Sequence, residues 1–246
     1  MKVFFKRIFT LVGKEFYAAV ISPASYGTAV FFLLCVSLWF FYLQRFFALD
    51  AATLRPFFAA FPPVFVLVVP LITMKSWAEE RKLGTIELLL TLPFSEWELV
   101  LGKFFSAFAV LSLILVFTIP VPLSLLPLAF FDAGVIIGEY AGVLLLGASA
   151  TALGLLLSSL SKSQAASFLG SAVVLLAAIL ANQLTLSFDL PLPLAAAVNF
   201  ISLSFHFEGF SRGVIDSRDI AFFLLSTVLF LFLNTRVLLF RRWSSG

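Results

Sequence analysis

Seven stretches of this chain run for roughly a bilayer's thickness without one Asp, Glu, Lys or Arg: Phe16 to Gln44, Pro56 to Met74, Phe104 to Phe131, Tyr140 to Ser161, Ser163 to Phe188, Leu190 to Phe207 and Ile220 to Thr235. A bilayer core is about 30 Å thick and is crossed by about 20 helical residues, so the solvent of this chain is largely lipid. Backbone polar groups there must be satisfied internally, which points to helices. Composition agrees: 62% of residues are apolar and 12% charged, with 32 Phe, against about 45–50% and about 25% in soluble proteins. Spans this closely spaced leave no room for an independent soluble domain, so residues 1–246 read as one all-α integral membrane domain.

Cytoplasmic flanks collect Lys and Arg, and acidic residues contribute little to that bias. Lys2, Lys6, Arg7 and Lys14 open the chain and Arg236, Arg241 and Arg242 close it. Both termini are therefore expected in the cytoplasm, with an even number of crossings. Leu190 to Phe207 is the weakest candidate, since it holds Pro191, Pro193, Asn199, Ser202, Ser204 and His206 between Asp189 and Glu208. Removing it leaves six transmembrane helices, with twelve Lys and Arg inside and only Arg45, Arg55, Arg212 and Arg218 outside. The outer segment 186–219, between spans five and six, is then expected to dip back as short re-entrant helices packed on the outer mouth of the bundle.

On a helical projection of residues 2–16, Phe4, Phe5, Ile8, Phe9, Leu11, Val12 and Phe16 share one half, and Lys2, Lys6, Arg7, Thr10, Gly13 and Lys14 the other. Only Val3 and Glu15 break the division. Residues 1–22 thus read as an interfacial helix with its basic face toward anionic headgroups, ended by Ser22-Pro23. Cys35 is the only cysteine and lies in an apolar span, so no internal disulfide exists. The basic residues cluster at span ends rather than on one helix face, which excludes nucleic acid as the partner.

The polar connection 75–98 is the most informative segment. Gly84 suits the left-handed position after a helix end, Thr85 suits the cap of a following helix, Glu87 suits its first turn, and Pro93 stops it. Ser95-Glu96-Trp97-Glu98 then reads as a new helix start leading through Lys103 into span three. Spans four and five carry small residues, Gly142, Gly147 and Gly154 in one and Ala165, Ala166, Gly170 and Ser171 in the other, expected to pack closely within the subunit. Pro120, Pro122 and Pro127 predict a kinked or unwound outer half of span three.

The run Glu80-Arg81-Lys82-Leu83-Gly84-Thr85-Ile86-Glu87-Leu88-Leu89-Leu90-Thr91-Leu92-Pro93, between spans two and three of six, resembles the permease subunits of ABC transporters of the ABC-2 (exporter) type. With the basic first helix and the step Ser22-Pro23-Ala24-Ser25-Tyr26, the layout is most similar to small permeases associated with gliding motility and copper-enzyme maturation. The resemblance implies that Trp77 to Leu92 contains a coupling helix docking into a separate ATP-binding cassette ATPase subunit, with Trp77, Glu79, Glu80, Arg81, Gly84, Thr85, Ile86, Glu87, Leu88, Leu89 and Pro93 at that contact. A second contact is implied at the Ser158 to Ser163 turn, through Ser159, Ser161 and Lys162. It also implies a dimer with a second permease copy or a homologous permease, in the plasma (inner) membrane, with ATP and Mg held by the partner subunit. Replacing Glu80 and Glu87 by Lys is then expected to uncouple the ATPase without unfolding the bundle.

No G-x-x-x-x-G-K-[ST] phosphate loop occurs, so this chain carries no nucleotide site of that kind. No Gly-x-Ser-x-Gly elbow occurs either, and His206 has no second His or Cys near it in sequence, so neither a catalytic residue nor a metal site is expected. Two alternatives to a transport subunit stay open on sequence: a force-transmitting membrane subunit acting on an extracytoplasmic auxiliary protein, and a membrane scaffold without transport.

Overall fold

The computed structural model describes residues 2–44, 53–86, 94–125, 127, 132–187 and 191–244. Six helices among them are long and apolar enough to cross a membrane: Pro23–Leu43, Arg55–Thr73, Glu96–Leu125, Ala133–Leu160, Gln164–Gln183 and Ser217–Phe240. They are the six spans, in that order. The apolar run around Leu190 to Phe207 contributes instead a ten-residue helix, Leu192–Ile201, about 15 Å long at the helical rise and too short to cross.

The amphipathic helix spans Lys2–Ile21 and stops at Ser22, whose backbone is extended. Pro23 opens the first span, where its missing N–H costs no hydrogen bond. The uncharged run starting at Phe16 therefore begins inside the amphipathic helix and not in the span. That helix lies along the third span: Leu11 packs so closely on Gly102 that a Cβ there would stand 2.9 Å from the Leu11 Cβ. Ile8 is buried, while Phe5 and Phe9 are exposed, a division suited to an interfacial helix with protein on one side and lipid on the other.

The fourth span is the axis of the bundle. A Cβ at Gly147 would meet Leu111 of the third span at 2.8 Å and Phe65 of the second at 3.4 Å, and one at Gly154 would overlap Thr73. Small residues here let neighbouring backbones approach, as expected. The sixth span runs beside it, joined by the Ser149–Ser226 hydroxyl pair at 2.8 Å. The fifth span differs from expectation. Ala165 and Ala166 are exposed and nothing lies within 4 Å of a Cβ at Gly170, so these small residues face outward, while Ser167 and Ser171 turn inward.

A phenylalanine cluster fills the space between the first and second spans. Phe32, Phe40, Phe57, Phe58, Phe61 and Phe65 are wholly buried, with Phe57 and Phe61 meeting edge to face at 5.3 Å. The third span breaks as its prolines predict: the helix runs Glu96–Val116, turns over 117–119 and resumes at Pro120–Leu125. Beyond the fifth span, the outer helix Leu203–Ser211 buries Leu203, His206, Phe207 and Phe210. Phe210 packs against Gly142, nine residues into the fourth span, so this helix reaches beside the outer third of the bundle. The structure is thus an all-α six-span membrane protein with an inward-dipping outer segment.

Candidate functional site: the anchored polar corner

The connection between spans two and three leaves the second span at Thr73, turns over 74–77 and forms a short helix, Ala78–Lys82. Glu79 and Glu80 occupy its first turn and Arg81 and Lys82 its last, the arrangement that complements a helix dipole. Gly84 follows with φ +69° and open space around its Cβ position, so conformation rather than crowding demands glycine. Thr85 opens a helical turn whose continuation lies outside the described residues. Its Oγ1 donates back to the Glu80 carbonyl at 3.2 Å and closes the helix already made. Glu87, Leu88, Leu89 and Pro93 lie outside the described residues.

The corner is fastened to the bundle at three places. Ser158, near the end of the fourth span, accepts from the backbone N–H of Trp77 at 3.2 Å and of Ala78 at 3.3 Å, and donates to the Met74 carbonyl at 3.4 Å. The hydroxyl thereby serves two backbone donors that have no partner in the first turn of a helix. Arg81 donates one guanidinium nitrogen to the carbonyls of Leu160 and Ser161, at 3.2 and 3.0 Å. The fourth span ends at Leu160 with unpaired carbonyls, and a cation placed on them is favourable.

The third fastening is ionic. Lys103, one full turn and more into the third span and only 6% exposed, directs its Nζ to Glu80 Oε1 at 2.7 Å and to Glu15 Oε1 of the amphipathic helix at 3.5 Å. The same ammonium stands 4.9 Å from the centre of the buried Trp77 ring, a cation–π contact. One lysine thus joins the amphipathic helix, the corner and the third span. Burial pushes the Glu80 carboxyl above its ordinary range, and the Lys103 ammonium pulls it partly back.

The start of the third span is pinned in the same way. Ser95 and Glu98 form a reciprocal capping box, with Glu98 N donating to Ser95 Oγ at 3.3 Å and Ser95 N donating to Glu98 Oε2 at 2.8 Å. Glu98 is buried, and Arg7 of the amphipathic helix approaches it to 3.8 Å while lying over the Phe94 ring.

The residues expected from the sequence at the partner contact therefore divide. Trp77, Glu80 and Arg81 face the bundle and hold the corner in place, and Ile86 is half-buried against the apolar cluster that contains Trp77, Leu99 and Val100. Glu79 is half-buried, and Lys82, Leu83, Gly84 and Thr85 are exposed, with Leu83 at 68%. In the second segment, Ser159 is buried with its hydroxyl closed on the Leu156 carbonyl at 2.7 Å, Ser161 offers its carbonyl to Arg81, and Lys162 is exposed. Lys6 and Lys14 are exposed, and Arg7 is half-buried beside Glu98.

Three contributors escaped sequence reasoning: Glu15, Ser158 as the anchor of Trp77, and Lys103 as the shared cation. Glu15 carried a signal, since it is the one acid that falls within the apolar half of the first helix. The double replacement of Glu80 and Glu87 by Lys would set a second ammonium against buried Lys103, which argues against its sparing the bundle.

A six-span helical bundle whose polar corner is bolted to two spans and to an amphipathic helix defines a multi-pass membrane protein. The family model for ABC-2 family transporter proteins matches residues 9–203, from the amphipathic helix to the start of the second outer helix, and the chain belongs to that family. It is accordingly a membrane permease subunit with an ATPase as its implied partner. No curated protein matches the chain.

Proposed function

We propose that this chain is the permease of an ATP-driven exporter in which the corner 75–98 receives mechanical work from a separate ATPase subunit. The observation that carries the reading is the division of the corner into an anchored side, Trp77, Glu80 and Arg81, and a free tip, Lys82 to Thr85. A force applied to the tip passes through Lys103 to the third span and through Ser158 and Arg81 to the fourth, so both move with it. The exposed Lys162 lies just beyond the Arg81 anchor and extends the same surface.

In this reading ATP and Mg are held by the partner, both termini lie in the cytoplasm of a plasma (inner) membrane, and the corner faces the ATPase there. The outward small-residue face of the fifth span, with Ala165, Ala166 and Gly170, supports close approach of a second permease copy. Closure of the nucleotide subunits would then rock the paired bundles between their two faces. A second reading rests on the outer helix Leu192–Ile201. It buries none of its residues and exposes Leu192, Leu194, Phe200 and Ile201, a surface suited to passing force to an extracytoplasmic protein instead of moving a solute.

The decisive experiment is Leu83→Asp, which alters the free tip and none of the anchors. The expected result is loss of ATPase co-purification and of ATPase stimulation, with an unchanged thermal midpoint of the permease. Retained ATPase binding and stimulation, or labelling of a cysteine at position 82 from the outer side only, would overturn the coupling role.

A further inference from the structure

His206 ties together three elements of the outer segment. Its own helix, Leu203–Ser211, carries it to 6% exposure, and both of its ring nitrogens meet oxygen atoms. Nδ1 lies 2.7 Å from Asp219 Oδ1, in the first turn of the sixth span. Nε2 lies 3.1 Å from the carbonyl of Phe200, near the end of the outer helix Leu192–Ile201. The ring stacks on Phe222 with centroids 3.8 Å apart and planes 17° from parallel. Asp219 is seated just as closely: its Oδ2 stands 2.6 Å from where a Cβ on Gly209 would lie, so a glycine admits the carboxylate there.

The two contacts set the charge of the ring. A carboxylate and a carbonyl only accept, and a neutral imidazole carries a single N–H, so only the doubly protonated ring donates to both. That cation also lies flat on an aromatic face and against a carbonyl at a helix C-terminus, which has no partner inside its own helix. When a proton leaves, the charged carboxylate is the stronger acceptor and keeps the remaining N–H on Nδ1. The Nε2 lone pair is then turned on the Phe200 carbonyl, and the outer helix loses its charged tie. Little else restrains that helix. It buries none of its residues, and the other side-chain hydrogen bond given for it among the described residues joins Asn199 Oδ1 to Thr185 Oγ1 at 2.8 Å.

Histidine is the side chain whose charge ordinarily changes between pH 5 and 8. Around His206, the fifth span and the helix Leu192–Ile201 carry no titratable side chain. The sixth span brings Asp219 and Arg218, the turn before it brings Asp216, which accepts from the Arg218 N–H, and the helix of His206 itself carries the exposed Glu208–Arg212 pair. The fourth span brings buried Glu139, and Tyr140, whose hydroxyl is paired with Thr118.

We propose that His206 is a proton-operated latch: its imidazolium clamps the outer helix Leu192–Ile201 to the sixth span, and deprotonation releases that helix together with its exposed Leu192, Leu194, Phe200 and Ile201. The pH on the outer side thereby decides how this apolar face is presented. The latch rests on the hydrogen bonds of the outer segment and not on the coupling role of the corner, so it is tested on the permease alone without nucleotide.

Spin labels replacing Ala196 and Leu225, both exposed, report the separation of the outer helix from the sixth span in nanodiscs, with Cys35→Ala removing the native thiol. A single docked distance is expected near pH 5. The ratio of displaced to docked populations should rise about tenfold by about pH 8, the worth of one charge-assisted hydrogen bond. His206→Ala should show the displaced population at both pH values. Asp219→Asn should do the opposite and stay docked at both, because its amide donates to Nδ1 and lets the neutral ring keep its proton on Nε2, against the Phe200 carbonyl. A distance distribution that does not respond to pH in the native chain, a response that survives in His206→Ala and so belongs to Glu139 or another acid, or release of the helix in Asp219→Asn would overturn the latch. Where the alanine variant does not fold, the near-isosteric asparagine carries the test by itself.

Discussion

Lys103 Nζ lies 2.7 Å from Glu80 Oε1, and this pair fastens the polar corner to the third span at a point where neither charge is free in water. Breaking such a pair costs more than the pair contributes, because the survivor keeps its burial and loses its compensation. Lys103→Met should therefore destabilise the chain by about 3 kcal/mol. The double replacement Lys103→Met/Glu80→Met should recover most of that loss, since two apolar side chains leave no buried charge. Thermal midpoints of the three variants in one detergent check this, and a double variant as unstable as the single one would count against it.

Ser158 and Ser159 are neighbours with different work. The Ser158 hydroxyl serves Trp77 N, Ala78 N and Met74 O, whereas Ser159 closes on the Leu156 carbonyl in its own helix. Ser158→Ala strands two buried N–H groups, at about 1–3 kcal/mol for a group left unsatisfied, and Ser159→Ala strands none. Amide hydrogen exchange at Trp77 and Ala78 should accelerate in the first variant and stay unchanged in the second.

Much of this was legible in the chain because lipid simplifies the code. Uncharged runs located the six spans, the proline and asparagine content of 190–207 removed a seventh, and Ser95 with Glu98 announced the helix they cap. Gly84 announced a positive φ for the same local reason. What stayed hidden depends on direction and distance. Ser158 and Trp77 are 81 residues apart, and no pattern links them. The face of the fifth span was not read because small residues lie on both of its sides, Ala165, Ala166 and Gly170 on one and Ser167 and Ser171 on the other, so all of them read as interior when Gly170 in fact looks outward. Thr85 fits both the end of one helix and the start of the next, and its bond to Glu80 O, though local, is invisible to a propensity reading.

That hidden orientation separates two glycines by measurement. At Gly142 a Cβ would come within 2.6 Å of the Phe210 Cβ, a backbone-attached atom that cannot swing away. Gly142→Ala should push the outer helix off the fourth span and destabilise by about 1–3 kcal/mol, the range of overpacking. At Gly170 nothing lies within 4 Å, and Gly170→Ala should match or slightly exceed the native thermal midpoint, since alanine is the better helix former by about 1 kcal/mol.

The Glu80 carboxyl sets a pH dependence whose sign is fixed by which influence wins. Burial raises it above its ordinary value of 4.5 by more than Lys103 lowers it. An acid raised in the folded state keeps its proton there after the unfolded chain has released it, so its stabilising contribution is complete below the ordinary value and is lost as pH rises through the folded value. The native chain should therefore lose stability relative to Glu80→Gln as pH rises from the ordinary carboxylate range into the mildly acidic range above it. Were the Lys103 pair dominant, the native chain would gain on the variant over the same interval. Thermal midpoints of the two proteins measured side by side give the sign directly.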